Sequence, residues 1–354
     1  MLDPLSVNIP LTERVEKLVL PKRKMLRQVE GTDDYIWEVD YSTISDFMCC
    51  PRKGENRVVH GREAQREQVA LHFGRLFHTL EEKRMRNGLT DQSVKEQQSM
   101  IEDHFVYHPV PPDEYRTANR MHDVIKKYND IHKTDEWPAK VLIVDGRPFV
   151  ERPFKIELMT IEVNAKIPYH PGMLVDGKDL SELRTEGFYI ANLHVIYVGK
   201  IDCGLSDATG LWVVDNKTSS RGGREFEEAF RLSLQTRGYV WAMKKIMDQQ
   251  VMGLIMNAVI VRPLTKTGTG TTFSRHTYFY SEDSILEWED NMKAIISDFI
   301  SHLQRGFFPQ HARSFNSPCA HCDYNENCPL PRSQRAADLA SNLYRDVTWN
   351  PMYE

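Results

Sequence analysis

Two acids and a lysine are the first residues of this chain to which a chemistry attaches. Asp202, Asp215 and Lys217 lie in the stretch Gly199-Lys-Ile-Asp-Cys-Gly-Leu-Ser-Asp-Ala-Thr-Gly-Leu-Trp-Val-Val-Asp-Asn-Lys217. Apolar residues suited to strands flank Ser206-Asp-Ala-Thr-Gly210, a segment with turn chemistry. The midpoint of positions 202 and 215 falls inside that turn. A symmetric hairpin therefore sets the two carboxylates face to face, with Cβ atoms about 4.5–5.5 Å apart. Asp215 and Lys217 are two apart on one strand and share a face. Two like charges held that close call for a cation between them, and hard oxygen ligands favour Mg²⁺ or Mn²⁺.

A second group offers sulfur. Cys319-Ala-His-Cys322-Asp-Tyr-Asn-Glu-Asn-Cys328-Pro329 places three cysteines in a short polar segment. Three thiolates leave a tetrahedral centre one ligand short, and Cys49 or Cys50, far upstream, is the natural fourth. Two centres fit: Zn²⁺, with His321 as a further candidate ligand, or a [4Fe–4S] cluster. Cys203 follows Asp202 on a strand, so it points to the opposite face and reads as core.

Other residues gain meaning only beside these. His78 follows Gly74 by one helical turn. A glycine inside a helix costs up to about 1 kcal/mol relative to alanine, which close approach of another backbone at that face would explain. Gln235 and Tyr239 are spaced i, i+4, with Arg231 and Arg237 nearby, and such a pair can hydrogen-bond a phosphate or stack on a base. Glu151, at the end of the Val150-Glu-Arg-Pro-Phe154 strand, can aim at the same pocket.

The elements that must position these residues alternate in type. Glu63 to Asn87 reads as one long helix. Asp91 to Lys127 is mainly helical, with a break at His108-Pro-Val-Pro-Pro112. Ala139 to Leu158 reads as paired strands turning at Asp145-Gly146. The hairpin follows, then a helix from Glu225 to Asp248, a buried strand from Val251 to Val261, its partner from Thr272 to Tyr280, and a helix from Ser284 to Arg305. Helix-cap chemistry at Ser42 opens a segment that ends at Pro51. Gly268-Thr-Gly-Thr-Thr272 lacks the lysine of a phosphate-binding loop and reads as a hairpin turn. This order gives an α/β chain with an αβββαβ core, a mixed sheet flanked by helices.

Bulk properties bound the rest. The 354 residues suffice for one large or two modest domains, and 41% hydrophobic with 27% charged content is ordinary for a soluble protein. A formal charge of −5 neither announces nor excludes a nucleic-acid binder, because a local basic groove suffices. Met1-Leu-Asp-Pro-Leu-Ser-Val-Asn lacks the basic start and apolar run of a signal peptide. No stretch approaches the ~20 apolar residues that span a bilayer. The expected location is cytoplasmic and reducing, where six cysteines serve as ligands or core rather than disulfides.

Taken together, these features resemble the RecB-like branch of the PD-(D/E)XK nucleases. Gly74-Arg-Leu-Phe-His78-Thr-Leu-Glu81 looks like its first motif, Gly199-Lys-Ile-Asp202 its "D" motif, and Val213-Val-Asp-Asn-Lys-Thr-Ser219 its "(D/E)XK" motif. Gln235-x-x-x-Tyr239 looks like its final motif. Ser45-Asp-Phe-Met-Cys-Cys50-Pro51 with the terminal cysteines resembles the iron–sulfur staple of CRISPR-associated exonucleases and AddB-like nucleases. The resemblance covers residues 41–330. It implies a restriction-endonuclease-like core and a metal-dependent exonuclease on single-stranded DNA, in recombination, repair or processing. It implies that His78, Asp202, Asp215 and the carbonyl of Asn216 bind Mg²⁺ or Mn²⁺. Lys217 would position or deprotonate the attacking water, and Gln235 and Tyr239 would orient the strand. Cys50, Cys319, Cys322 and Cys328 would carry a structural [4Fe–4S] cluster, with Zn²⁺ the alternative. The lack of a motor motif implies a partner helicase or recombination protein.

The chain departs from that pattern in three respects. The second acid is Asp215 rather than the commoner glutamate. Residues 164–187 read as an insertion. Residues 1–40 read as an N-terminal extension and 331–354 as a tail. Alternative readings are a non-cutting DNA-binding or adaptor subunit of the same fold, a zinc-stapled endonuclease, and an iron–sulfur or zinc protein unrelated to nucleases.

Overall fold

The computed structural model describes residues 25–32, 34–65, 69–134, 139–166, 174–175, 178–179, 188–264, 270–311 and 317–347. Most of the expected extension and insertion, and the Gly268 turn, lie outside these. The protein is α/β, with a mixed sheet flanked by helices. It divides into two compact units. One comprises Met1–Gln65, Lys155–Val198 and Glu289–Glu354; the other comprises Arg66–Phe154 and Gly199–Trp288.

The second unit is built on the expected hairpin. The end of the strand Phe188–Ser206 pairs antiparallel with Leu211–Ser219, in the register Cys203↔Val214 to Ser206↔Leu211. Asp207 closes the turn, its Oδ1 accepting from the N–H groups of Thr209 and Gly210 at 2.7 and 3.1 Å. Its Oδ2 accepts from Trp212 Nε1 at 3.0 Å. Leu211–Ser219 then runs parallel to Val251–Val261, which pairs antiparallel with Thr271–Phe279. Val251–Val261 is flanked on both edges, and all but one of its residues are buried, as its near-continuous apolar sequence demands.

Helices cover this sheet through apolar stripes. Val69–Asn87 buries Phe73, Leu76, Phe77 and Leu80, spaced for one helical face. They pack with Ile101, Met121, Val124 and Ile125 of the helices Asp91–Tyr107 and Ala118–Thr134, and with Val259 and Val261 of the sheet. A second cluster joins Ala139, Val150, Cys203, Leu205, Trp212, Val214 and Ile255. Cys203 is thus core, as expected.

In the first unit, Tyr35–Val39 runs parallel to Leu193–Tyr197 and antiparallel to Leu26–Gln28. Trp37, Phe47, Phe299 and Phe308 form an aromatic core, with ring centroids 4.7–6.5 Å apart in the contacting pairs. Beside it the Arg52 guanidinium donates to Phe308 O at 2.8 and 3.3 Å. Arg62–Ala64 pairs antiparallel with Tyr344–Asp346, and Tyr344 stacks on Tyr324 at 5.6 Å. The described part of the expected tail therefore holds a helix, Arg332–Leu339, and a paired strand.

Four expectations need correction. The first long helix starts at Val69, not Glu63, because Arg62–Ala64 is claimed by a distant strand that no local periodicity reveals. The helix Tyr41–Cys49 is capped by Asp40, which accepts from Thr43 N at 2.9 Å, rather than by Ser42. Pro51 does not end helical structure; it opens the short helix Pro51–Gly54, where its missing N–H is harmless. The Glu225–Asp248 helix is two, Arg224–Arg231 and Leu234–Met247, divided where Ser233 caps the second. No helix among the described residues is long and apolar enough to cross a membrane.

Candidate active site

Asp202 is one step beyond the last pair of the hairpin ladder, and continuing the register sets it opposite Asp215. It belongs to the face away from Cys203, which is committed to the core. Asp202 Oδ2 accepts from Asn216 N at 2.8 Å and meets His78 Nδ1 at 3.2 Å. Lys217 Nζ donates to Asp215 Oδ1 at 3.0 Å. The structure thus brings together five residues that the sequence scattered over two strands and a helix. Asp215 and Asn216 are buried, His78 and Lys217 only partly so.

The two acids differ in environment. Burial disfavours charge on Asp202, but His78, Lys217 and the Asn216 N–H outweigh it, and its carboxyl lies below the usual carboxylate range. Burial and then the neighbouring Asp202 push Asp215 upward, against the pull of Lys217. Burial acts against a charged His78, and the Asp202 carboxylate overcomes it and raises that imidazole.

One atom of the cluster is conspicuous. Asp215 Oδ2 is buried and has no hydrogen-bond partner among the described residues. A buried carboxylate oxygen without a donor is costly unless a cation meets it. The donor set also includes His78, a nitrogen ligand, and it matches a divalent cation of the Mg²⁺/Mn²⁺ class.

Glu151 joins this site. Single donor atoms of His78, Glu151 and Asp202 lie within 4.8 Å of one another. Its Oε2 pairs with Lys200 Nζ at 2.7 Å, and Lys200 shares a face with Asp202 two positions on. Burial and the Asp202 charge raise the Glu151 carboxyl, against Lys200. Its backbone has φ of +48°, a left-handed conformation that a glutamate adopts only under constraint. Sequence reasoning placed Glu151 as an optional neighbour and passed over Lys200, although the Lys-x-Asp spacing was the available signal.

Gly74 has its reason as well. A Cβ there would meet Thr218 Oγ1 at 2.8 Å, so the close approach comes from a side chain rather than a backbone. Gln235 and Tyr239 are on the helix Leu234–Met247, which packs on Leu211–Ser219 and Val251–Val261. Gln235 Nε2 donates to the Tyr239 hydroxyl at 3.1 Å, and the Tyr239 ring meets Phe154 edge-on at 6.4 Å. Arg237 is turned to its own helix start, donating to Leu232 O at 3.0 Å.

The cysteines form a separate site within the first unit. Cys49, Cys50, Cys319, Cys322 and Cys328 all line one cavity of about 300 Å³, together with Lys53 and His311. All five thiols are free. Cys50 Sγ accepts from His311 N at 3.4 Å. Burial pushes the Cys49, Cys322 and Cys328 thiols up. His321 is not among the lining residues. No three of these sulfurs approach within 4.8 Å of one another. A tetrahedral zinc with Zn–S bonds of about 2.3 Å would hold its sulfurs about 3.8 Å apart.

A family model for the PD-(D/E)XK nuclease superfamily matches residues 39–329. A search of curated proteins finds no significant match. Among solved structures, one from Eubacterium rectale, described as a candidate exonuclease, is 12% identical with a TM-score of 0.41, covering 91% of this chain and 93% of that one. Another, of SSO0001, is 12% identical with a TM-score of 0.25, covering 90% of this chain and 94% of that one. With the family's motif residues gathered at one site and its model spanning most of the sequence, this chain belongs to the PD-(D/E)XK nuclease superfamily.

Proposed function

We propose that this nuclease hydrolyses DNA phosphodiester bonds in a divalent-cation-dependent reaction, working from free ends of single strands during recombination, repair or processing. The observation that carries the reading is the buried, undonated Oδ2 of Asp215 beside Asp202 and His78. Those three side chains and the carbonyl of Asn216 are the ligand set for Mg²⁺ or Mn²⁺. A cation held there supplies charge against the scissile phosphate and lowers the pKa of a bound water. Lys217, tied to Asp215, positions that water and offsets charge in the transition state. Gln235 and Tyr239 orient the strand through phosphate or base contacts. A separate helicase or recombination protein supplies the motor.

The cysteine cavity supports a second assignment within the same reading. Cys50, Cys319, Cys322 and Cys328 hold a structural [4Fe–4S] cluster. Five cysteines around one cavity of about 300 Å³ offer the four thiolates that such a cluster takes, with Zn²⁺ the alternative. Residues 41–330 then form the nuclease domain, stapled near both its ends.

End-labelled single- and double-stranded oligonucleotides, incubated with Mg²⁺ or Mn²⁺, test the first assignment and report polarity. Lys217→Ala is expected to cut activity by about 10²–10³-fold while remaining folded. Wild-type cleavage by that variant removes the site assignment. DNA binding without cleavage by the wild type favours the adaptor reading.

A further inference from the structure

The second unit contains a further convergence of donor atoms that the nuclease reaction does not use. His72 is in the first turn of the helix Val69–Asn87. His104 is in the last turn of Asp91–Tyr107, and His108 caps that helix, its N–H donating to His104 O at 2.9 Å. His104 and His108 are therefore spaced i, i+4 on one helical face, the spacing by which zinc-binding helices present two imidazoles. The two helices pack together through a short connection at residues 88–90, so the start of one meets the end of the other. That connection brings His72 to the pair.

The geometry is close to that of a ligated site. One ring nitrogen from each histidine lies within 4.8 Å of the other two. Ring centroids are 4.4 Å apart for His72–His108, 4.7 Å for His104–His108 and 6.3 Å for His72–His104. All three residues are half-buried. Three nitrogens at about 2.0–2.1 Å from a tetrahedral cation lie about 3.3 Å apart, so closing the set needs only small side-chain rotations.

The donor chemistry selects the ion. Among the described residues the group holds imidazoles and no carboxylate, unlike the oxygen-rich set at Asp202 and Asp215. Imidazole nitrogens suit borderline transition cations instead. We propose that His72, His104 and His108 form a binding site for a divalent transition cation of the Zn²⁺ class. The site is distinct from the acid cluster and from the cysteine cavity. It clips the start of the Val69–Asn87 helix to the end of its neighbour, and so braces the helix that carries His78.

The test uses the full chain without an affinity tag of histidines, treated with chelator and then titrated with Zn²⁺. His104→Asn/His108→Asn and, separately, His72→Asn are compared with the wild type. An Asp202→Asn variant serves as control for the acid site. The wild type is expected to bind one more equivalent of Zn²⁺ than either histidine variant, with a thermal midpoint that rises on binding, while Asp202→Asn keeps the equivalent that the histidine variants lose. Affinity for that equivalent should fall at least about 100-fold in either histidine variant, the upper end of what loss of a mere outer-shell partner costs. Co²⁺ at this site should give a visible absorption band with no thiolate-to-cobalt charge transfer. Equal Zn²⁺ stoichiometry and equal thermal response in the wild type and both histidine variants would overturn the proposal and leave a stack of rings.

Discussion

The acid hairpin and the cysteine cavity both gather ligand atoms, but by opposite routes. Asp202 and Asp215 are brought together by a four-residue turn whose register sets both positions at once. The cysteines come from Cys49 and Cys50 at one end of the chain and Cys319 to Cys328 at the other. The first site is local, charged and buried, so the fold holds it against a desolvation penalty. The proposed cluster would make the second close a loop of most of the chain, and a cross-link of that kind restricts the unfolded state strongly. The acids should therefore matter to chemistry and little to stability, and the cysteines the reverse.

The sharpest way to break this contrast is to remove one member of each site. Asp215→Asn should lower nuclease activity by about 10³-fold or more, without lowering the thermal midpoint, since it removes a buried charge. If the proposed cluster is present, Cys328→Ser should cost at least about 3 kcal/mol, roughly 6–12 °C for a unit of this size, and abolish its visible absorbance. Thermal melts with activity assays decide both. A Cys328→Ser protein as stable as the wild type would erase the contrast.

A smaller effect tests whether helix and hairpin are fitted to each other. Gly74→Ala places a methyl 2.8 Å from Thr218 Oγ1, next to Lys217. Overpacking of this kind costs about 1–3 kcal/mol, offset by up to about 1 kcal/mol of helix propensity. Activity should fall by up to about 100-fold through displacement of Lys217. Thr218→Ala in the same chain should restore most of it, as read from kcat.

The smallest effect concerns the histidines. The folded state holds His104 below its unfolded value of 6.5, so the unfolded chain binds more protons there. Its contribution is present above pH 6.5 and is lost as pH falls through that value towards the folded one. His104→Asn in metal-free buffer should flatten that part of the stability profile, measured by denaturant melts at a series of pH values.

How much of this was legible depended on distance along the chain. The face-to-face acids followed from the symmetry of one turn, and Lys217 from the period of a strand. His78 needed the resemblance to be singled out, since a lone histidine on a helix signals nothing. Glu151 escaped firm assignment because its aim depends on a left-handed backbone that no glutamate announces. Glu63 and Ala64 read as helix because the partner of their strand, Tyr344–Asp346, is remote. The choice between Cys49 and Cys50 stays with the resemblance, since both line the cavity.

The turn closed by Asp207 has a consequence for how this sequence can vary. Side chains alternate faces along a strand, so pairing and orientation are set together. One residue inserted between Asp207 and Gly210 would slide one strand past the other or turn its residues over. Asp215 and Lys217 would then exchange places with Val214 and Asn216, facing the core that Cys203 now fills. The residues of the turn can be rewritten wherever Asp207 keeps its hydrogen bonds, but its length is as much a part of the active site as the acids themselves.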